Sequence, residues 1–253
     1  MKKIASLVAV AAISMGSTVT AYAACSDVSR AAFEWAANEA AIATDQYGFG
    51  LPMWTTMVDE TGKVCHVYSN DSSIPNTGAA SGNKAWLGSR VISAQKANTA
   101  NAFSLDGLAI STGAISVTVY PGGSLYGLQH SNPVDTAAAY GSIGGGSTLG
   151  TSSDPMVGTH IGGVNVFGGG VALYNAEGVK IGALGASGDT SCRDHTMAYT
   201  MRATLQLDST PNDDGLVLSA EPAALFEQPA CGVNDPSGVA QGAAGDHGIR
   251  PAS

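Results

Sequence analysis

GGGVALYNAEGVKIGALGASGDTSCRDHTMAYTMRATL, residues 168–205, is the stretch that organises the chain, and it predicts strand, tight turn, strand, glycine-rich corner and helix. Residues 170–174 are a short apolar run, and residues 179–186 are rich in the small and β-branched side chains typical of a buried strand. Asn175-Ala176-Glu177-Gly178 predicts the turn between them, since Gly178 accepts positive φ. Residues 187–190 then end the second strand.

A helix is expected after this corner. Ser191 is the predicted N-cap, with Asp194 three residues later, as in a capping box. Spacings of four residues predict one buried stripe, formed by Met197, Met201 and Leu205. A different face of the same helix carries His195, Tyr199 and Arg202. The helix therefore places titratable side chains directly after the hairpin.

The rest of the chain also alternates hairpins and helices. Residues 27–47 predict an amphipathic helix that Gly48 ends, residues 53–58 and 63–68 predict a hairpin, and residues 83–103 predict a second helix. The full order is helix, hairpin, helix, irregular segment, hairpin, helix. That order is typical of an α+β domain in which helices cover an antiparallel sheet.

The first residues predict a secretory signal peptide. A lysine pair precedes an apolar run over residues 4–13, and residues 21–23 have the A-x-A pattern of a cleavage site. We therefore expect cleavage near Ala23 and a mature protein in the periplasm or outside the cell. The apolar run is too short to span a membrane. A lipid anchor on Cys25 is the alternative, although Tyr22 stands where a lipoprotein signal has a leucine-like residue.

Composition limits the partners that the protein can have. The chain has 11 basic and 20 acidic residues, a formal net charge of −9, so its surface repels nucleic acid and anionic lipid. Only 12% of its residues are charged, and 33 are glycine. Small residues with few charges fit close backbone packing and a subunit interface, which predicts a homo-oligomer. A small-residue secreted domain without such an interface is the alternative.

Four cysteines remain after the expected cleavage. In an oxidising compartment they predict two disulfides, for which three pairings are possible. We favour Cys192 with Cys231, which ties the tail to the last helix, and Cys25 with Cys65, which ties the first helix to the first hairpin. No C-x-x-C motif occurs, so neither thioredoxin chemistry nor covalent attachment of a c-type haem is supported.

At the corner between the second predicted strand and the last helix, glycines follow a strand and precede a helix, as they do in a phosphate-binding loop. Their positions, Gly182, Gly185 and Gly188, give the spacing G-x-x-G-x-x-G and not the dinucleotide-binding G-x-G-x-x-G. Asp189 would also place a negative charge against a phosphate. A nucleotide site is therefore not favoured.

Hydrolase and zinc chemistry have equally little support. Residues 185–189 nearly match G-x-S-x-G, but the fifth position is Asp. Asp194 and His195 are adjacent, so in a helix their side chains point apart and do not form a triad. No two histidines have the H-x-x-x-H spacing of a zinc site. The five histidines are His66, His130, His160, His195 and His247, of which the last is expected at the surface of the tail.

The hairpin and its corner resemble the C-terminal signature of the GlcG/HbpS haem-binding family, in which a G-A-I-G-V-S-G strand is followed by an Asp that opens the last helix. The matching residues are Gly182-Ala183-Leu184-Gly185-Ala186-Ser187-Gly188 and Asp194. In the second predicted helix, Lys96-Ala97-Asn98-Thr99-Ala100 resembles the family's K-A-x-T-A motif. The resemblance extends over about residues 27–207. It implies a profilin-like antiparallel sheet covered by helices and assembled into higher oligomers.

The resemblance also suggests how the chain is divided. After the signal peptide over residues 1–23, a GlcG/HbpS-like, haem-degrading-type domain would occupy residues 24–207, with a glycine-rich insertion at about 141–170. That insertion is expected to be either a mobile loop or a backbone that approaches a ligand or a partner closely. Residues 208–253 would form a C-terminal extension that is pinned by a disulfide.

The family resemblance implies haem, which needs an apolar slot, an axial ligand and cations for its propionates. His130 lies among apolar residues and is the first choice as ligand of the haem iron, with His160 and Tyr126 as further candidates. The remaining candidate contacts lie on predicted helices and are Lys96, Arg90 and Arg193 for the propionates, and Thr99 on the helix face of Lys96.

Two functions of different class follow. The first is an exported, oligomeric protein that binds haem or another tetrapyrrole non-covalently for storage, scavenging or sensing. The alternative is a periplasmic enzyme that acts on a small anionic organic substrate, with Asp194, His195 and Lys96 as acid–base groups at the N-terminus of the last helix. A structural subunit without a ligand of its own is a third interpretation.

Overall fold

The structure, a computed structural model, describes residues 24–71, 86–141, 148–222, 224–232 and 248–251. The expected signal peptide and His247 lie outside these ranges. The central strands are β1 Trp54–Asp59, β2 Val64–Ser69, β3 Gly170–Tyr174 and β4 Lys180–Ser187. They form an antiparallel sheet in the order β2-β1-β4-β3. Two hairpins that are distant in sequence therefore join edge to edge along β1 and β4.

Helices of very different lengths surround this sheet. The α-helices of the described ranges are α1 Ala24–Asp27, α2 Arg30–Ala43, α3 Ser89–Phe103, α4 Leu128–Ser131, α5 Thr136–Tyr140 and α6 Ser191–Thr204. A 3-10 helix occupies Gly113–Val119. None of these described helices is long and apolar enough to cross a membrane.

The longer helices cover both faces of the sheet. On one face α2 and α6 enclose an apolar core that includes Phe33, Met57 and Met197. On the other face α3 packs on the sheet in a second core, which includes Trp54 and Val91. The prediction of an α+β fold, with an antiparallel sheet covered by helices, is therefore confirmed.

The contact between α3 and β4 is made by backbone. A Cβ atom on Gly185 would lie 1.9 Å from the Ser93 carbonyl oxygen and 2.7 Å from the Ala97 nitrogen. The facing side chains of α3 are small, so the helix axis can approach the strand closely. At this contact, therefore, the small residues of the sequence allow close packing within one chain and not between subunits.

Three predicted helix starts are corrected by the structure. The first begins at Arg30 and not at residue 27, because the Ser29 side chain caps α2 by accepting from the Ala32 N–H, and it ends at Ala43, with Thr44 as C-cap, and not at Gly48. The second begins at Ser89 and not at residue 83; Trp86, with φ +55°, lies before it. The N-cap of α6 is Thr190, whose hydroxyl accepts from the Arg193 N–H at 3.2 Å, so the prediction of Ser191 is wrong by one residue.

The glycine-rich segment before β3 packs on the domain itself. Leu149, Met156 and Ile161 are buried in the core under α3. Backbone hydrogen bonds join Val64 of β2 to Gly158 and Thr159. Within residues 148–170, therefore, the backbone approaches other parts of this chain closely, where the sequence predicted a mobile loop or the approach of a ligand or partner.

Residues after α6 form a second, small parallel sheet in the order β6-β5-β7, from β5 Leu216–Leu218, β6 Glu227–Gln228 and β7 Ile249–Pro251. This sheet packs on the 3-10 helix and α6, and it buries the face of α6 that is turned away from the main core. Disulfides join Cys25 to Cys65 and Cys192 to Cys231, which are the pairs favoured from the sequence.

Replacing Gly185 by alanine should destabilise the protein strongly. The new methyl group meets backbone atoms of α3, which cannot move aside as a flexible side chain can, so the free energy of unfolding should fall by about 3 kcal/mol or more. The matched control is Gly88→Ala before α3, where a Cβ atom meets nothing within 4 Å. It should change stability by less than about 0.5 kcal/mol in urea unfolding followed by circular dichroism. Equal losses in the two variants would contradict the packing described.

Candidate functional site

A buried ion pair joins α3 to α6. Lys96 Nζ donates to Asp194 Oδ2 at 2.6 Å and to the Ala186 carbonyl at 3.1 Å. Both side chains are buried, Lys96 completely. The two residues are 98 positions apart, and their helices cover opposite faces of the sheet. The pair therefore closes the end of the sheet where β4 finishes, and Lys96 is not the solvated surface charge that an isolated lysine usually is.

A glycine loop that leads into β3 covers this ion pair. Gly169 has φ +120°, and a Cβ atom there would lie 2.3 Å from the Ala186 oxygen and 2.9 Å from Lys96 Nζ. The Gly168 N–H donates to Ser191 Oγ at 2.8 Å, which ties the loop to the first turn of α6. Only residues without a side chain fit between the ion pair and the end of β4.

Asp189 ties the corner after β4 to the loop after α2. Its carboxylate accepts from the Phe49 and Leu51 N–H groups at 2.8 and 2.9 Å and pairs with Arg193 Nη1 at 2.8 Å. Its own N–H donates to Asp194 Oδ1 at 3.0 Å. Arg193 is buried in this corner, so it does not present a cation to a ligand as the sequence suggested.

Burial disfavours the charged form of both partners in the ion pair. It raises the pKa of Asp194 to about 6, against the opposing effect of the Lys96 charge. It lowers the pKa of Lys96, against the opposing effect of Asp194. Each charge is therefore tolerated because the other lies beside it, as is general for buried ion pairs.

His195 lies on the same helix and is also fully buried. Burial lowers the pKa of its imidazole to about 4, although the charge of Asp214 opposes the shift. Its ring centroid lies 5.8 Å from that of Tyr199. Neither ring nitrogen has a side-chain hydrogen-bond partner in the described part of the chain. The imidazole is thus neutral at pH 7.

A cleft of about 520 Å³ opens beside the N-terminus of α6. Its lining includes residues 119–121 at the end of the 3-10 helix, Phe167 of the loop before β3, Thr190 and Ser191 at the start of α6, and residues 228–231. This volume lies within the range of about 300–1,000 Å³ that is usual for small-molecule sites. The cleft therefore has the size and the mixed aromatic and polar lining of a ligand site.

Phe167 separates this cleft from the buried ion pair. Its ring lines the cleft and is about one third exposed, while Lys96 Nζ lies 3.9 Å from the ring centroid and does not line the cleft. The ammonium is thus held against the ring by a cation–π contact. Lys96 and Asp194 support the wall of the cleft and do not line it.

Two predicted cofactor contacts on α3 are occupied by the protein itself. The guanidinium of Arg90 is buried against both carboxylate oxygens of Asp154 and donates to the Ala139 carbonyl at 2.9 Å. The Thr99 hydroxyl donates to the Gln95 carbonyl and accepts from the Asn165 N–H. A propionate contact by Arg90 does not fit this arrangement, because no donor of its guanidinium is turned to solvent.

The predicted iron ligands are not brought together. His160 is exposed and lies 3.2 Å from the Thr61 hydroxyl, at the turn between β1 and β2. His130 is exposed on α4 and Tyr126 is 65% exposed before it, and neither lines the cleft, although the neighbouring Gln129 does. The segment that carried the first choice of ligand is therefore close to the cleft, but the side chain is not in it.

Sequence reasoning missed Tyr120 and Phe167 as lining residues of the cleft. Tyr120 precedes a Pro-Gly-Gly turn, and that pattern indicated only the turn. Phe167 stands alone in a run of glycines, where a single large apolar residue was the available signal. Both become lining residues because the 3-10 helix and the glycine loop meet at α6.

Removing the lysine of the buried pair should destabilise the protein. Lys96→Met leaves the Asp194 carboxylate buried without its partner, which costs about 3–5 kcal/mol of unfolding free energy at pH 8. The loss should be smaller at pH 5, where the raised pKa of Asp194 lets it bind a proton. Lys63→Met is the control, because Lys63 is 42% exposed and its pairing with Asp59 should contribute less than about 1 kcal/mol. A loss independent of pH would contradict this role of Asp194.

His195 should make stability depend on pH. Its folded-state pKa of about 4 lies below the usual value of about 6.5, so the unfolded chain binds more protons between these values and stability falls as pH falls. At pH 5 the loss relative to neutral pH is about 2 kcal/mol. His195→Leu should lack this loss in denaturant titrations at pH 5 and 7, whereas His160→Leu at the exposed site should keep it. The opposite effect of Asp194 is common to all three proteins and cancels in the comparison.

Comparison of the sequence with known families places this chain in one of them. A sequence model described as haem degrading protein HbpS-like matches residues 76–203. Among solved structures, a PduOC:heme complex is 24% identical, with a TM-score of 0.47, covering 72% of this chain and 98% of that one. The Klebsiella pneumoniae protein ORFY is 22% identical, with a TM-score of 0.45, covering 71% of this chain and 90% of that one. No curated protein matches the chain significantly. The match over half of its length shows that this chain belongs to the HbpS-like family of haem-degrading proteins.

Proposed function

We propose that this protein binds haem non-covalently in the cleft beside α6 and works outside the cytoplasm. The cleft itself carries the proposal, because it is a sizeable, partly apolar site in a chain of the HbpS-like family. The two disulfides fit an exported protein, since such bonds persist in oxidising compartments. Storage, scavenging or sensing, and assembly into a homo-oligomer, remain predictions from the sequence.

The cleft residues fit a flat aromatic ligand. Phe167 and Tyr120 supply aromatic surface, and Val119 and Val166 supply aliphatic surface. Phe167 is held in place by the ammonium of Lys96 behind it, so the wall is preorganised. A porphyrin ring could be held by such contacts without a covalent bond.

The iron would need a ligand from the same lining. Among the described residues of the cleft, Tyr120 alone carries a group that ligates haem iron in other proteins, since Cys231 is in a disulfide. Tyr120 is 38% exposed, so its phenol is accessible. We therefore replace His130 by Tyr120 as the first candidate. Bound haem would supply a redox-active iron centre.

The propionates would lie at the N-terminus of α6. Helix N-termini favour anions, because their free N–H groups and the helix dipole point toward the ligand. The lining there has hydroxyl groups from Thr190 and Ser191 and the amide of Gln228, and no lysine or arginine among its described residues. The Arg193 and Cys192 N–H groups and the Ser191 hydroxyl already donate to Thr190, Cys231 and Gln228. The helix dipole and the Thr190 hydroxyl would therefore take the place of the cations expected from the sequence.

The enzyme alternative has weaker support. Lys96, Asp194 and His195 are fully buried, and Phe167 stands between the ion pair and the cleft. A general acid or base must come within hydrogen-bond reach of its substrate. These three residues would reach a substrate in the cleft only after Phe167 had moved.

Hemin titration followed by absorption spectroscopy tests the haem proposal. The wild-type protein should give a saturable shift of the Soret band. Tyr120→Phe keeps the aromatic ring and removes the ligand oxygen, so it should lose the ferric–tyrosinate spectrum and at least about tenfold in affinity. Tyr126→Phe is the matched control on the same segment and should behave as wild type.

Two results would count against the proposal. A spectrum that remains that of free hemin at all protein concentrations would exclude haem binding. A spectrum that Tyr120→Phe leaves intact and His130→Ala abolishes would keep haem but assign the iron to the histidine first expected from the sequence.

A further inference from the structure

One disulfide forms part of the wall of the cleft. Cys231 lines the cleft and is partly exposed, whereas its partner Cys192 is buried in the first turn of α6. Pro229 and Ala230, which precede Cys231, line the cleft as well. A thiol that enters the cleft therefore meets Cys231 and not Cys192.

The start of α6 favours Cys192 as the leaving group, against the opposing effect of its burial in an apolar cluster. Cys192 is the second residue of a 14-residue helix, where the positive end of the helix dipole stabilises a thiolate. The Gln228 side-chain amide also points its nitrogen at Cys192 Sγ, at 3.5 Å. Thiol–disulfide exchange is faster when the departing thiolate is stabilised.

The second disulfide has the opposite surroundings. Cys25 Sγ lies 3.8 Å from the buried Asp59 carboxylate, which would repel a thiolate. Although burial acts to raise the pKa of Asp59, hydrogen bonds from Thr61 and Lys63 lower it overall, so the carboxylate stays ionised. The Lys63 ammonium is 3.4 Å from Asp59 and offsets part of this charge from the solvent side. Reduction of this disulfide would therefore form a thiolate next to a negative charge, which disfavours the reaction.

Little besides the disulfide holds this part of the wall. Within the described chain, one hydrogen bond joins residues 229–231 to their surroundings, from the Cys192 N–H to Cys231 Sγ at 3.0 Å. Gln228, by contrast, is tied by β6 and by Ser191 Oγ at 3.1 Å. Breaking the disulfide would therefore release the wall after Gln228.

We propose that Cys192–Cys231 is a redox-active disulfide, that a dithiol reduces it from the cleft, and that its reduction opens the wall of the cleft. A thiolate of the dithiol attacks Cys231 Sγ, and Cys192 leaves as a thiolate that takes up a proton. The second thiol of the reductant then attacks the reductant's own sulfur in the mixed disulfide and releases Cys231. Two electrons pass to the protein, which gains two thiols, and the reductant becomes a disulfide. The effect on haem retention rests on the proposed function; the redox chemistry and the opening of the wall do not.

Stepwise reduction of the native protein tests the redox chemistry. The protein is exposed to increasing dithiothreitol, free thiols are alkylated, and each cysteine is followed by peptide mass spectrometry. Cys192 and Cys231 should become alkylated at a dithiothreitol concentration at least about tenfold below that needed for Cys25 and Cys65. Simultaneous reduction, or earlier reduction of Cys25–Cys65, would overturn the proposal.

Paired variants test the opening of the wall. In Cys192→Ala/Cys231→Ala, amide exchange over residues 226–231 should be at least about tenfold faster than in the wild type. In Cys25→Ala/Cys65→Ala it should be unchanged. If the first variant does not fold, selectively reduced wild-type protein gives the same comparison. Unchanged exchange in both would refute the opening.

Hemin dissociation separates this proposal from the previous one. The Cys192→Ala/Cys231→Ala variant should release hemin at least about tenfold faster, and the Cys25→Ala/Cys65→Ala variant at the wild-type rate. If the wild type binds no hemin, the proposed function fails. The order of reduction and the amide exchange then still test the proposed redox site.

Discussion

The contact between Lys96 and Asp194 holds the end of the sheet together. It links helices on opposite faces of the sheet. The Lys96 ammonium also donates to the Ala186 carbonyl near the end of β4. Because neither charge has access to water, neither is stable there without the other. The loop over residues 168–170, the end of β4 and the start of α6 must therefore adopt one common arrangement.

Most ion pairs among the described residues are buried in the same way. In the described ranges, four ion pairs have both side chains almost completely buried: Arg90–Asp154, Lys96–Asp194, Arg193–Asp189 and Arg202–Asp214. Such pairs add less stability than their Coulomb attraction suggests, because desolvation opposes it, but they penalise any arrangement in which a partner is missing. A further consequence is that these cations are not offered to ligands. The described lining of the cleft accordingly relies on hydroxyl, amide and backbone groups.

The N-terminus of α6 has several structural roles at once. Thr190 caps it, Ser191 binds the glycine loop on one side and Gln228 on the other, and Cys192 fixes the extension. The cap satisfies one of the N–H groups that every helix start leaves unpaired, and the other contacts are made by side chains of the first turn. Residues 228–231 thereby become a wall of the cleft, and the cleft exists only where they meet the 3-10 helix, the glycine loop and the start of α6.

The sequence by itself determined the local elements: the hairpin and final helix within residues 168–205, the α+β order, and the family resemblance. These follow from patterns of neighbouring residues, which turn chemistry and side-chain periodicity govern. It did not determine the site. Lys96 finds Asp194 across 98 residues, Arg90 is withdrawn by Asp154, and Tyr120 faces residues 228–231. Only the tertiary structure decided these contacts, because burial and charge pairing depend on which distant segments meet. The spacing of residues along the chain does not show which segments those are.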